Sequence, residues 1–206
     1  MAEHINRQTA FNGRDKEYVS GTDMQQLGIE IRQRLVNAII QLNGIDATAL
    51  ERLRQHFGLD DAPAQRVITT SNVMFLWTGP AQWLLISEQI EAGAIMTQLD
   101  EILACSDGTA TDLSHGRVIV KVTGSQTRVL MAKGCPLDIE SLAVGDCAAT
   151  HLGEIKVIIH WCQENACELY ASRSFAISLL EWLLDAAGEF GCRVTSDPKA
   201  SFYVDY

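Results

Sequence analysis

The chain has 206 residues, 47% of them hydrophobic and 20% charged, which suits one globular domain with a sizeable core and argues against a disordered chain. Its formal net charge of -10 argues against nucleic acid and anionic membrane as main partners, since both demand a clustered basic surface. No apolar run reaches the roughly 18 residues of a membrane span, and MAEHINRQTA lacks the apolar stretch of a secretory signal. A cytoplasmic location is therefore expected, and there the six cysteines, with no CxxC pair among them, are expected as small buried hydrophobes.

Residues 1–26 are polar and without apolar period, and read as an N-terminal arm. Ile29 to Leu42 fits neither helix nor strand cleanly; an extended stretch becoming a strand near Val36 to Leu42 is expected. Asp46 is placed to cap a helix running to Phe57, with Leu50, Leu53 and Phe57 on one face and Gly58 as the stop. Leu59 to Ser71 reads as a loop. Val73 to Trp77 and Trp83 to Ser87 read as strands around a Thr78-Gly79-Pro80-Ala81 turn, followed by a helix from about Gln89 to Ala104.

The second half begins with Thr109 to Ser114 and Arg117 to Thr123, expected to pair as a hairpin across His115-Gly116, with Val118, Val120 and Val122 on the buried face. Ser125 is expected to cap a helix to Lys133, which Gly134 and Pro136 end. Three strands follow, Cys147 to Leu152, Ile155 to Trp161 and Cys167 to Ser172. The closing helix, Ser174 to Phe190, carries a narrow polar stripe of Ser178, Glu181, Asp185 and Glu189 opposite Phe175, Leu179, Trp182, Leu183, Ala186 and Phe190. Ile177, Leu180 and Leu184 widen the apolar arc beyond the roughly 100° of an ordinary surface helix. Either the sheet wraps this arc or a second protein covers the remainder. Each half thus runs helix, strands, helix, which predicts an α+β domain over residues 27–192, built as two similar lobes of antiparallel sheet with packed helices. A tail, 193–206, follows; its Phe202, Tyr203 and Tyr206 suit docking onto a partner or folding back over the chain's own sheet.

Chemistry is hard to assemble from this material. Neither GxGxxG nor GxxxxGK[ST] occurs, nor GxSxG, HExxH or an EF-hand loop. His160, Cys162 and Cys167 make the best metal candidate, but a structural zinc needs a fourth ligand and none is apparent. Asp112, Ser114 and His115 invite a nucleophile-and-base reading. Successive strand side chains point to opposite faces, so a turn capped by polar side chains is the better expectation. His56 and His151 have no visible partner. Trp77 and Trp83 flank one turn and serve as core anchors, one of them being a candidate to line a pocket or interface.

Three segments, WTGPAQWLLIS, TDLSHGRVIVKVTGSQTRVLMAKGCPLDI and SRSFAISLLEWLLDAAGEFG, taken in this order and spacing, resemble the gamma subunit of heterotetrameric sarcosine oxidase. The similarity runs from about Val73 to Gly191. That family is similar in fold to the folate-binding domain of the glycine-cleavage T-protein. The resemblance implies an accessory chain without catalytic residues, cofactor or metal of its own. Its partners would be the alpha (large), beta and delta subunits. FAD, FMN, NAD and tetrahydrofolate would sit on those other subunits. Their complex would oxidise sarcosine to glycine, release hydrogen peroxide and pass the one-carbon unit to tetrahydrofolate. The interface would use Ile177, Leu180, Leu184, Phe202, Tyr203 and Tyr206. In the T-protein a glycine-rich turn leads to paired aspartates; here the matching stretch is Leu152-Gly153-Glu154-Ile155-Lys156-Val157, with a lysine where a carboxylate is needed. No folate-catalytic residue is therefore carried over. The alternative is a stand-alone folate-dependent aminomethyltransferase or a folate-binding module.

Overall fold

A strand–helix–three-strand–helix–strand unit occurs twice along the chain. The computed structural model describes residues 10–11, 18–20, 27–61 and 64–195. Two strands come first, β1 (Tyr18–Ser20) and β2 (Ile29–Arg34). The first unit is β3 (Ala38–Asn43), α1 (Ala47–Phe57), β4 (Val67–Thr69), β5 (Met74–Gly79), β6 (Gln82–Ser87), α2 (Ala92–Leu103) and β7 (Thr109–Asp112). The second is β8 (Arg117–Thr123), α3 (Thr127–Ala132), β9 (Cys147–Leu152), β10 (Ile155–Gln163), β11 (Ala166–Ser172), α4 (Ala176–Ala187) and β12 (Cys192–Thr195).

The first unit forms a sheet of order β4-β5-β6-β3-β7; the second forms β9-β10-β11-β8 and then β12, with β2 inserted between β8 and β12 and β1 outside it. Among the described strands only the β12–β2 pair is parallel. This is the expected α+β architecture of two similar lobes. Strands also cross the composition boundaries: β1 lies within 1–26, and β12 runs to Thr195.

Three apolar clusters hold the layers together. One packs α3 and α4 on the larger sheet, a second packs α1 and α2 on the smaller sheet, and a third lies between the sheets, from Leu76 and Leu84 to Ile119, Ile158 and Tyr170. Strands between two such clusters bury both faces. Ile155, Val157, Ile159 and Trp161 of β10 face the helices, as their alternation predicts, while Ile158 faces the other sheet.

Local signals worked where their partners are close in sequence. Asp46 Oδ1 accepts from the Ala49 amide at 2.7 Å, and Gly58, at φ 65°, ends α1 in the left-handed conformation. Elsewhere the elements differ from expectation. Ile29 to Leu42 is two strands, one in each sheet, which is why its apolar residues follow no single period. Part of the expected loop 59–71 is the short strand β4. Helix α2 starts at Ala92, because the Ser87 hydroxyl accepts from the amides of Gln89 and Ile90 and holds them in a turn. Ser125 does not cap α3; the helix begins at Thr127, whose hydroxyl donates to the Gly124 carbonyl at 2.8 Å.

The expected hairpin across His115-Gly116 does not form. β7 pairs with β3 in one sheet, whereas β8 pairs with β2 and β11 in the other. β8 buries Val118, Ile119 and Val120 in succession, the mark of a central strand whose two edges are both taken, while β7 is mostly exposed. The turn between them is the crossing from one lobe to the next.

The closing helix is shorter than expected and rotated. α4 buries Ala176, Leu179, Leu180, Leu183 and Ala187, a regular i, i+3, i+4, i+7, i+11 stripe. Phe175 falls in a preceding 3-10 turn (Arg173–Phe175) and is 51% exposed. Leu180, expected at a partner interface, is 1% exposed and belongs to the core; it offers no surface. Ile177 and Leu184 are half-buried. Trp182 turns onto Gly134 and Gly153, so loops of the same lobe cover most of the wide apolar arc.

Candidate functional site

A cluster of interacting charged groups lies on the sheet face that carries Lys121 of β8, Glu168 of β11 and His160 of β10, and the sequence reading missed it. Glu168 is the only acidic residue in the apolar strand ACELYAS, and that oddity was the available signal. It is 4% exposed. Arg34 reaches it from β2 across the intervening β8, with Nη1 at 2.8 and 2.7 Å from the two carboxylate oxygens. The Tyr170 hydroxyl donates to Oε2 at 2.5 Å. Nδ1 of His160 lies 3.7 Å from the same oxygen, too long for a hydrogen bond, and is otherwise without a partner.

Burial by itself pushes the Glu168 carboxyl up; the neighbouring His160, the Arg34 charge and the Tyr170 hydroxyl outweigh it and hold the group at about 2. Burial also raises Tyr170 far above the phenol range, reinforced by the Glu168 charge. Burial lowers the Arg34 guanidinium, and Glu168, Tyr170 and Glu88 together outweigh it, with a net rise. An anion this well satisfied is no general base at neutral pH. Arg34 also bonds Glu88, just past the end of β6, at 2.8 Å, so the cluster ties the larger sheet to the edge of the smaller one.

The other candidates separate. His160 and Cys162 share a face with Glu168, but Cys167 is fully buried on the opposite face beneath α4, and both cysteines are free thiols. The three therefore do not converge on one point. Asp112 and Ser114 do meet. The Ser114 amide and hydroxyl both donate to Asp112 Oδ1, at 2.8 and 2.5 Å, and the hydroxyl oxygen accepts from the Ile39 amide at 3.0 Å. His115 is exposed beside them. This is the expected capped turn, positioned to steer the chain between lobes. His56 bonds Gln98 at 3.2 Å. Trp77 and Trp83 face each other across β5–β6, Trp83 buried and Trp77 half-buried. Phe202, Tyr203 and Tyr206 lie outside the described residues.

The surface carries three large exposed apolar side chains among the described residues. Val129 on α3 and Val144, in the loop before β9, are 49% and 52% exposed; Phe175 stands before α4. Among the described residues no helix is long and apolar enough to cross a membrane.

Residues 43–189, more than half of the chain, match the model of the sarcosine oxidase, gamma subunit family. Sarcosine oxidase subunit gamma of Corynebacterium sp. (strain U-96) is 29% identical over 135 residues, 65% of either chain. That of Corynebacterium sp. (strain P-1) is 30% identical over 127 residues, 61% of this chain and 60% of the relative. The chain thus spans somewhat less than two thirds of the length of these relatives. Among solved structures, a chain of heterotetrameric sarcosine oxidase from Corynebacterium sp. U-96, in complex with pyrrole 2-carboxylate, superposes with a TM-score of 0.72 at 25% identity, over 80% of this chain and 86% of that one. Glycine cleavage system aminomethyltransferase T from Bartonella henselae superposes with a TM-score of 0.57 at 16% identity, over 77% of this chain and 46% of that one, a likeness of fold alone.

Proposed function

This chain belongs to the sarcosine oxidase gamma subunit family, and we propose that it fills the gamma position in a heterotetrameric sarcosine oxidase. It is an accessory subunit there, packed against the alpha, beta and delta subunits. Those subunits carry FAD, FMN, NAD and tetrahydrofolate and perform the chemistry. Sarcosine is oxidatively demethylated to glycine, oxygen is reduced to hydrogen peroxide, and the one-carbon unit passes to tetrahydrofolate. The chain itself holds none of these groups.

The observation that carries this reading is the superposition over 86% of a chain of such a heterotetramer. The local chemistry supports it, since the best-connected ionisable cluster, around Glu168, is consumed in joining strands and sheets. Exposed Phe175, half-buried Ile177 and Leu184, and the tail residues Phe202, Tyr203 and Tyr206 form the proposed partner-facing set.

Co-expression with the proposed partner subunits tests it. Affinity capture of this chain should bring down a four-component complex with flavin absorbance and sarcosine-dependent peroxide release, while the chain alone is colourless. A chain that stays monomeric beside co-expressed partners rejects the proposal. Saturable tetrahydrofolate binding by the isolated chain would instead favour a folate-binding module.

A further inference from the structure

We infer that the cleft where the two sheets meet, centred on Arg117, is a binding site for a small carboxylate. One wall is a row of side chains running across four adjacent strands. Arg117 of β8 stands opposite Ser172 of β11, and Lys156 of β10 stands opposite His151 of β9. Ser172 follows Ala171, the partner of Val157, which brings it level with Lys156. Neighbouring members of the row are therefore about 4.8 Å apart along the hydrogen-bonding direction. The facing wall comes from the smaller sheet and presents Gln41, Thr78 and Gln82. The cleft between them holds about 310 Å³, and a second hollow of about 560 Å³ shares Arg117 and Lys156 and ends at Phe175. Volumes of this order accommodate small organic ligands.

The decisive contrast is between two partly buried arginines on the same sheet. Arg34 is met by Glu168 and Glu88. Arg117 has no ion pair or side-chain hydrogen bond among the described residues. Its Nε is buried without a partner, and so is the Thr78 hydroxyl that lines the same cleft. Burial alone depresses the Arg117 guanidinium, with no anion to offset it. A desolvated cation left unpaired costs stability, and Arg117 and Thr78, each with one orphaned buried donor, line the same cleft. The chain carries a net charge of -10, yet among the described residues the only carboxylate lining either hollow is Glu154, in the second one. A planar carboxylate matches the guanidinium fork in two parallel hydrogen bonds. Lys156 places a positive charge at the far end, and Ala149 and Ile158 supply an apolar floor for a short aliphatic link.

Titrating the full chain with succinate in a calorimeter should show saturable binding at one site. Arg117→Met should weaken it at least tenfold and Thr78→Val several-fold. Without ligand, Arg117→Met should melt no lower than the parent, because the substitution removes an uncompensated cation; a lower melting temperature marks a structural arginine and overturns the site. Absence of saturable succinate and propionate binding overturns it too, as does equal binding by Arg117→Met. Tighter binding of inorganic phosphate than of succinate overturns the carboxylate assignment. Succinate bound by the free chain but not by the assembled complex would give the cleft to a partner subunit's carboxylate side chain and overturn the free-ligand form.

Discussion

Arg34 and Glu168 are 134 residues apart in sequence and meet in a two-oxygen contact over the top of strand β8, at 2.8 and 2.7 Å. Glu168 is nearly inaccessible, so the pair is a joint between β2 and β11 with little solvent screening on the acidic side. Replacing Glu168 by Gln leaves the arginine with Glu88 as its ion-pair partner among the described residues and should cost about 3 kcal/mol. The pair also sets a pH dependence. The carboxyl is held at about 2 against an ordinary 4.5, so its contribution is fully present above about pH 5 and is lost as pH falls through about 2. The shift corresponds to about 3 kcal/mol. Urea unfolding between pH 7 and pH 2 should show this loss in the parent and a flatter profile in Glu168→Gln; equal slopes would refute the assignment.

Gly134 sits against the Trp182 indole, and a Cβ built there meets the ring directly. Gly153, at φ 58°, lies under the same indole, and its amide donates to the Gly134 carbonyl at 3.0 Å. Gly134→Ala should therefore cost about 1–3 kcal/mol by overpacking. Near-UV circular dichroism should report a displaced tryptophan. Unchanged stability and spectrum would mean that the indole has room to retreat.

Two residues five apart at the start of α4 should behave oppositely. Leu180→Ala empties a core position and should cost about 2–5 kcal/mol in chemical denaturation of the isolated chain. Phe175→Ser should change that stability by less than about 0.5 kcal/mol, yet reduce recovery of partner subunits in affinity capture. Full recovery would remove Phe175 from the interface.

Thiol reactivity should follow burial. Cys105 is exposed, whereas Cys135, Cys147, Cys167 and Cys192 are buried. Burial pushes Cys147 up to about 12 and Cys192 to about 11, so neither offers thiolate at pH 8. Brief alkylation of the native chain at pH 8, read by peptide mass spectrometry, should modify Cys105 first and spare the buried four until denaturant is added. Early modification of Cys147 would contradict the packing between the sheets.

Features governed by neighbours a few residues away were legible in the sequence. The Asp46 cap and Gly58 stop bracket α1, Pro80 and Ala81 turn β5 into β6, and alternating Ile155, Val157, Ile159 and Trp161 assign the inner face of β10. Together with three motif segments they determined the α+β class and the family. The tertiary structure alone decided which strand edges join, so β7 and β8 part company although only four residues separate them. It likewise buried Leu180, paired Arg34 with Glu168 and left Arg117 without an ion pair among the described residues. Periodicity and capping act through contacts within about one turn of chain. Edge pairing and charge compensation depend on which distant segments share a sheet, and no short window of sequence contains both partners.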